Sequence, residues 1–306
     1  MSEALPEPAL IDLRAWIDEA AGDRARHDQR QITAIILNAV ALSEALRANL
    51  VLKGGTLLAV AHGSRRQTGD VDFTARADPE AFAETFAGEM DRGLDRARAR
   101  LGYVQWRCRV QGKLKRQPRN FAGDRFPSLA ARIGYARVGS RDEPQLLAGN
   151  CTHVVPVEVS FREPLVRTEE VRILAGNARL EVYSITEVLA EKFRAYLQQG
   201  IRNRRRRQDI YDVAYLAGQA GAEGIDRAAV LSTLREKCAA RDVPLGPDLI
   251  DDPDLMERAR SEWRTMALEV GDLPSFDECF AVARDLYASL PWSQGASGLG
   301  GRDLEG

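Results

Sequence analysis

Asp70 and Asp72, two positions apart in the run Thr68-Gly69-Asp70-Val71-Asp72-Phe73, are the residues of this chain with the plainest chemical meaning. Side chains of an extended strand alternate faces, so both carboxylates point one way while Val71 and Phe73 point into a core. Two carboxylates held side by side repel each other unless a cation sits between them, and hard oxygen ligands suit Mg²⁺ or Mn²⁺. Upstream, Val51-Leu52-Lys53 runs as a short apolar strand into Gly54-Gly55-Thr56. Gly54 and Gly55 lack a Cβ, so backbone N–H groups at the start of the following helix can come close to a phosphate, with the Thr56 hydroxyl as a further donor. A phosphate cradle followed by metal-holding carboxylates is the equipment for nucleotidyl or phosphoryl transfer from a nucleoside triphosphate (NTP).

This order of motifs resembles the signature of the DNA polymerase beta-like nucleotidyltransferase superfamily, a Gly-Gly or Gly-Ser turn followed by Asp-x-Asp. Leu52-Lys53-Gly54-Gly55-Thr56 followed by Arg66-Gln67-Thr68-Gly69-Asp70-Val71-Asp72 is similar, more closely, to the AbiEii/AbiGii toxin family. The later Glu191-Lys192-Phe193-x-Ala195, then Arg202, then Arg207-Gln208-Asp209-Ile210-Tyr211-Asp212, resembles that family's second half. The resemblance spans roughly Ile32 to Leu216.

It implies a third metal-holding carboxylate on a strand beside the Asp-x-Asp strand. Glu158 matches by order: in Val154–Phe161, residues Val155, Val157, Val159 and Phe161 share one face and Glu158 projects from the other. It also implies that Lys53, Gly54, Gly55 and Thr56 hold phosphates and that Lys192 supplies a point charge to the triphosphate. Read without the family, a lysine beside an apolar helix face simply extends its ammonium to water. Asp209 would orient Lys192 or hydrogen-bond the nucleotide, with Asp212 behind it, since residues three apart share a helix face. Arg66 would lean on phosphate or buttress the turn. Arg202 and Arg204–Arg207, Arg207 above all, read as a clamp for triphosphate or RNA, or equally as a solvated helix start. Thr68, two before Asp70, becomes a hypothetical target of phosphorylation by the antitoxin. The activity implied is that of a toxin in a toxin–antitoxin or abortive-infection system, moving NMP from an NTP to an RNA, the tRNA 3′ end above all, and so blocking translation. The competing readings are an antibiotic-type nucleotidyltransferase with a small acceptor and a nucleotide- or RNA-binding module without turnover.

The elements needed to position these groups fit 306 residues, about the length of two modest domains. A net charge of −2 gives no global signature of nucleic-acid binding, so local charge matters more. Between Arg92 and Arg125 the positive residues Arg96, Arg98, Arg100, Arg107, Arg109, Lys113, Lys115, Arg116 and Arg119 meet few acids. This stretch reads as a path for a phosphate backbone, with Trp106 or Phe121 for base stacking, or as a solvated face. Four scattered cysteines suggest neither zinc site nor disulfide framework. They fit a reduced, cytoplasmic setting, with no signal pattern in Met1–Pro8 and no apolar run long enough for a membrane.

Along the chain, Ala9–Ala20 reads as a helix carrying Leu10, Leu13, Trp16 and Ile17, then a polar connection from Gly22 to Arg30 with an exposed His27, then a helix with Ile32, Ile35, Ile36 and Val40 on its apolar side. Pro79–Leu101 reads as a helix, and Tyr103–Val110, Ala130–Val138, Val154–Phe161 and a short run from Leu180 as strands. Asp226–Ala240, Asp254–Leu268 and Ser275–Ser289 read as helices, and Asp248–Asp254 as a solvated acidic turn. The expectation is an α/β protein with a nucleotidyltransferase-like mixed sheet flanked by helices and a helical C-terminal half. Its expected parts are a core over 1–183 with N-terminal helices, a helical domain over 184–292 and a flexible tail over 293–306, with nucleotide and metal held in the cleft between the first two.

Overall fold

The computed structural model describes residues 8–174, 176–221 and 224–293. Met1–Glu7 and the tail expected to be flexible, from residue 294 onward, lie outside the described residues. The chain divides into two compact units between Ser184 and Ile185.

In the first unit the strands are β1 (Ala9–Ile11), β2 (Leu50–Lys53), β3 (Val71–Ala75), β4 (Trp106–Val110), β5 (Lys115–Gln117), β6 (Ser128–Arg137), β7 (Val154–Phe161), β8 (Thr168–Ile173) and β9 (Ala178–Tyr183). Among the described residues they form one mixed sheet in the order β1-β8-β9-β2-β3-β7-β6-β4, with β5 also paired to β6. Parallel pairs (β1 with β8, β2 with β9, β3 with β7) alternate with antiparallel ones (β2 with β3, β6 with β7, β8 with β9). The helices of this unit are α1 (Leu13–Asp18), α2 (Arg24–Leu42), α3 (Glu44–Arg47), α4 (Gly54–His62), α5 (Pro79–Leu101) and α6 (Glu143–Leu147).

The alternation of β2, β3 and β7 decides how the sheet is used. Leu50, Leu52, Val71, Phe73, Val157, Val159 and Phe161 are all buried, on the face that packs with α2 and α5. Phe82 of α5 meets Phe161 edge-on at 5.7 Å between ring centroids, an arrangement aromatic pairs favour. The opposite face carries Lys53, Asp72, Glu158, Ser160 and Arg132, the polar members of the same strands.

The N-terminal segment differs from a single helix. Asp12 accepts hydrogen bonds from the backbone N–H groups of Arg14 and Ala15 and so starts α1, while Ala9–Ile11 pairs in parallel with Val171–Ile173. A cap and a long-range strand partner outweigh a helical spacing of apolar residues. The next helix begins at Arg24, capped by Asp23, so His27 is a half-buried helical residue instead of part of an exposed connection.

The second unit is helical: α7 (Ile185–Leu197), α8 (Gln199–Arg202), α9 (Arg207–Ala220), α10 (Arg227–Ala240), α11 (Pro253–Arg260), α12 (Ala267–Val270) and α13 (Phe276–Ala288). The helix expected over Asp254–Leu268 is broken. Glu262 takes φ 61°, a left-handed backbone, and separates α11 from a 3₁₀ turn at Trp263–Met266 and the short α12. In the acidic turn, Asp252 caps α11 through the N–H groups of Asp254 and Leu255, and Asp251 pairs with Arg284. Lys237 of α10 is 2% exposed and compensated by the fully buried Glu187 at 2.7 Å, as a buried charge requires. All four cysteines are buried free thiols, and burial pushes those of Cys108 and Cys238 up to about 12.

Candidate active site

The first unit's polar residues converge where β2 becomes α4. Lys53 is the N-cap of α4 and gives it no side-chain hydrogen bond, so the helix start keeps backbone N–H groups for an anion. Gly54 takes φ 73°, a conformation only glycine adopts without strain. A Cβ at position 54 would stand 2.3 Å from Asp72 Oδ2, and one at 55 would stand 2.9 Å from Arg66 Nη2 and 3.0 Å from Thr68 Oγ1. Both glycines therefore admit functional side chains against the backbone. The Thr56 hydroxyl donates to the Asp70 carbonyl at 2.6 Å, and the Thr68 hydroxyl donates to Asp70 Oδ1 at 2.6 Å. Asp70 itself lies just before β3 and is exposed. Arg66 is buried.

Asp72 and Glu158 are register partners on the adjacent parallel strands β3 and β7, so their side chains leave the same face of the sheet one strand spacing apart, about 4.8 Å. Asp72 is half-buried and Glu158 exposed. Among the described residues no group of three or more His, Cys, Asp or Glu side chains is already gathered as around an ion, so Asp70, Asp72 and Glu158 form no closed cage. Their chemistry still fits Mg²⁺, which is commonly held by one or two carboxylates completed by substrate phosphates.

Lys53, expected at phosphate, is turned along the same face. Its ammonium donates to Ser160 Oγ at 3.1 Å and Glu163 Oε2 at 2.8 Å and lies 6.0 Å from the centroid of the Tyr183 ring. Thr74 Oγ1 joins the group, 2.7 Å from Tyr183 Oη. Glu163 and Tyr183 carried no sequence signal as neighbours of the glycine turn; only the pairing of β2, β3, β7 and β9 brings them together.

The second unit holds the later motif. Lys192 of α7 lies 2.8 Å from Asp209 Oδ1 and 2.8 Å from Asp212 Oδ2 of α9. One ammonium thus serves two buried carboxylates, while Asp209 Oδ2 is a buried atom without a hydrogen-bond partner; Arg206 Nε lies 3.7 Å from it. The Arg run is partly engaged. Arg205 and Arg207 both reach Glu262, and Arg207 also approaches Glu269 at 3.8 Å. Arg202 is exposed, and its ionisation is pushed down by partial burial and then by Arg241, Arg194, Arg204 and Arg206 around it.

The basic stretch is not one surface. Arg92 pairs with Glu89, Arg98 with Asp95, Arg107 with Glu143, and Arg116 with Glu80. Trp106 is 3% exposed and Phe121 4%, so neither offers a ring for base stacking. Trp106 Nε1 instead donates to Gln31 at 2.7 Å, and Phe121 packs edge-on against Phe161. Apolar area and core geometry claimed both rings.

A mixed sheet with paired carboxylates on one strand row, beside a Gly-Gly helix start, defines a nucleotidyltransferase-type protein. The chain belongs to the AbiEii family: residues 35–282 match the model described as nucleotidyl transferase AbiEii toxin, type IV TA system. It is thus a nucleotidyltransferase toxin of a toxin–antitoxin system. Its fold is similar to that of MenT4, a nucleotidyltransferase toxin from Mycobacterium tuberculosis H37Rv, with TM-score 0.54 and 20% identity over 90% of this chain and 88% of that one. A nucleotidyltransferase candidate from H. pylori aligns with TM-score 0.48 and 14% identity over 85% of this chain and 92% of that one. No curated protein matches. No helix among the described residues is long and apolar enough to cross a membrane.

Proposed function

We propose that this toxin transfers NMP from an NTP to the 3′-hydroxyl of an RNA, the tRNA 3′ end in particular, and thereby stops translation in the cytoplasm. The observation that carries the reading is the Asp72–Glu158 pair in register beside the uncapped start of α4.

In this reading the backbone N–H groups at Gly54 and Gly55 and the Thr56 hydroxyl receive the β- and γ-phosphates at the helix start. Asp72 and Glu158, with Asp70, would hold Mg²⁺ or Mn²⁺, which would supply neutralisation of phosphate charge and an easier deprotonation of the attacking hydroxyl. The acceptor oxygen forms a bond to the α-phosphorus, the bond to pyrophosphate breaks, and the hydroxyl proton passes to Glu158. Arg66 supports the turn beneath the phosphates. In the helical unit, Lys192, fixed by Asp209 and Asp212, is the positive charge offered to a triphosphate, with Arg202 and Arg207 beside it in sequence as a secondary basic clamp.

Incubation of the purified protein with each labelled NTP, Mg²⁺ and total tRNA tests this. Label on tRNA, lost with Asp72→Asn, is the expected result. Label only on a small acceptor would establish an antibiotic-type enzyme instead, and nucleotide binding without transfer to any acceptor would leave a binding module.

A further inference from the structure

Strand register places one row of residues straight across the polar face. Lys53 pairs with Asp72, Asp72 with Glu158, Glu158 with Ala130, and Ala130 with Lys115. Cross-strand partners project to the same side, so Lys115 stands on the face of the carboxylates, two strands beyond Glu158, at roughly 10 Å. Arg132, two residues along β6 from Ala130 and paired with Pro156, projects from that face as well. The residue separating the acid from these bases is alanine, so a shallow floor runs from Glu158 toward them.

Glu158, Lys115, Arg132 and Pro156 are exposed. Past Arg132 the face is closed: a Cβ at Gly134 would meet Leu146 Cδ1 of α6 at 2.9 Å and Gln111 Cγ at 2.5 Å. The open part is therefore the stretch from Ser128 to Arg132, beside Glu158. Four arginines of the neighbouring basic stretch, Arg92, Arg98, Arg107 and Arg116, are paired with carboxylates. Among the described residues no carboxylate pairs with Lys115 or Arg132, nor with Lys113 and Arg119, which flank β5 and are exposed.

We propose that this β5–β6 edge is the track for the acceptor: the phosphate backbone of a single-stranded RNA 3′ end lies over Ala130, with phosphates on Lys115 and Arg132 and the terminal hydroxyl delivered to Glu158. The inference rests on the transfer reading above and adds where the polynucleotide lies. A polyanion fits because two uncompensated cations border the carboxylate that a terminal hydroxyl, which carries no charge, must reach.

The test is fluorescence anisotropy of a 5′-labelled single-stranded oligoribonucleotide with a free 3′-hydroxyl, titrated with full-length protein across a salt series. Lys115→Ala/Arg132→Ala should weaken binding about tenfold and make the slope of log K against log salt shallower by about 1.4, the share of two phosphate contacts on a single strand. Arg100→Ala, an exposed arginine of α5, should bind like wild type. In transfer assays the double variant should raise KM for RNA and leave KM for NTP in place. Unchanged affinity and slope in the double variant, or no RNA binding by wild type, overturns the track. So does loss of a co-purifying protein partner with RNA affinity intact, which would assign the surface to that partner. RNA binding that depends on Lys115 and Arg132 without any transfer would instead sink the proposed activity and keep the track.

Discussion

The Asp72 carboxylate rests on the bare Cα of Gly54, so close that a Cβ there would fall 2.3 Å from Oδ2. Gly54→Ala adds a methyl into that contact and forces an L-residue to φ 73°, which by itself costs about 1–2 kcal/mol. Gly102→Ala imposes the same kind of backbone at φ 77° with nothing within 4 Å. The expected outcome is similar melting temperatures for the two variants but a loss of transfer of about 10²-fold only in Gly54→Ala, since small misplacements at a reacting centre carry such costs. Equal activity in both would show that the Gly54–Asp72 contact does not govern the site.

Lys192 is held between two buried carboxylates, so Lys192→Ala is expected to lower stability as well as transfer. Removing one partner of a buried ion pair leaves uncompensated charge and costs about 3–5 kcal/mol. Lys192→Ala/Asp212→Asn should recover part of that stability in urea melts while transfer stays abolished. Recovery of transfer together with stability would reduce Lys192 to a structural residue.

The Thr68 hydroxyl donates a hydrogen bond to Asp70 Oδ1. A phosphate on that oxygen removes the donor and adds a charge of about −1.5 to −2 beside the carboxylates, so phosphorylation should abolish transfer while Thr68→Ala retains most of it. Mass spectrometry of toxin coexpressed with its antitoxin checks the regulatory side; an unmodified Thr68 peptide from fully inhibited toxin would reject it.

Glu181 of β9 accepts hydrogen bonds from the guanidinium of Arg76, just past β3, which holds its carboxyl below the usual 4.5 against a smaller opposing effect of burial, with the Thr168 hydroxyl assisting. A carboxyl depressed in the folded state stabilises the protein above its unfolded value, and that stabilisation disappears as pH falls through the folded value. The stability gap between wild type and Glu181→Gln should therefore be constant above about pH 5.5 and close progressively below 4.5. Urea melts from pH 3 to 7 measure it; a gap that widens with acid would reverse the assignment.

Local pattern carried much of the first unit. Period-two alternation in Val154–Phe161 placed Glu158 opposite a buried face, and the same rule oriented Asp72. Long-range pairing was less legible. Nothing in the spacing of Leu10, Leu13, Trp16 and Ile17 reveals that Ala9–Ile11 is captured by β8, and no local pattern marks Thr168–Ile173 as that partner. Glu163 meets Lys53 across a separation of 110 residues, which no local motif records. Trp106 and Phe121 show the reverse difficulty, since an aromatic beside arginines reads alike whether it stacks on a base or fills a core. In the second unit, the left-handed turn at Glu262 cut a helix whose apolar spacing ran on uninterrupted.

The brief β1 strand matters beyond its three residues because it lies along the outer edge of β8. A version of the chain beginning after Asp12 would leave the β8 backbone facing water with its amides and carbonyls unpaired, a template on which further strands can add. Such a shortened protein would keep every catalytic group and still tend to self-associate, so its fault would be in solubility, not in chemistry.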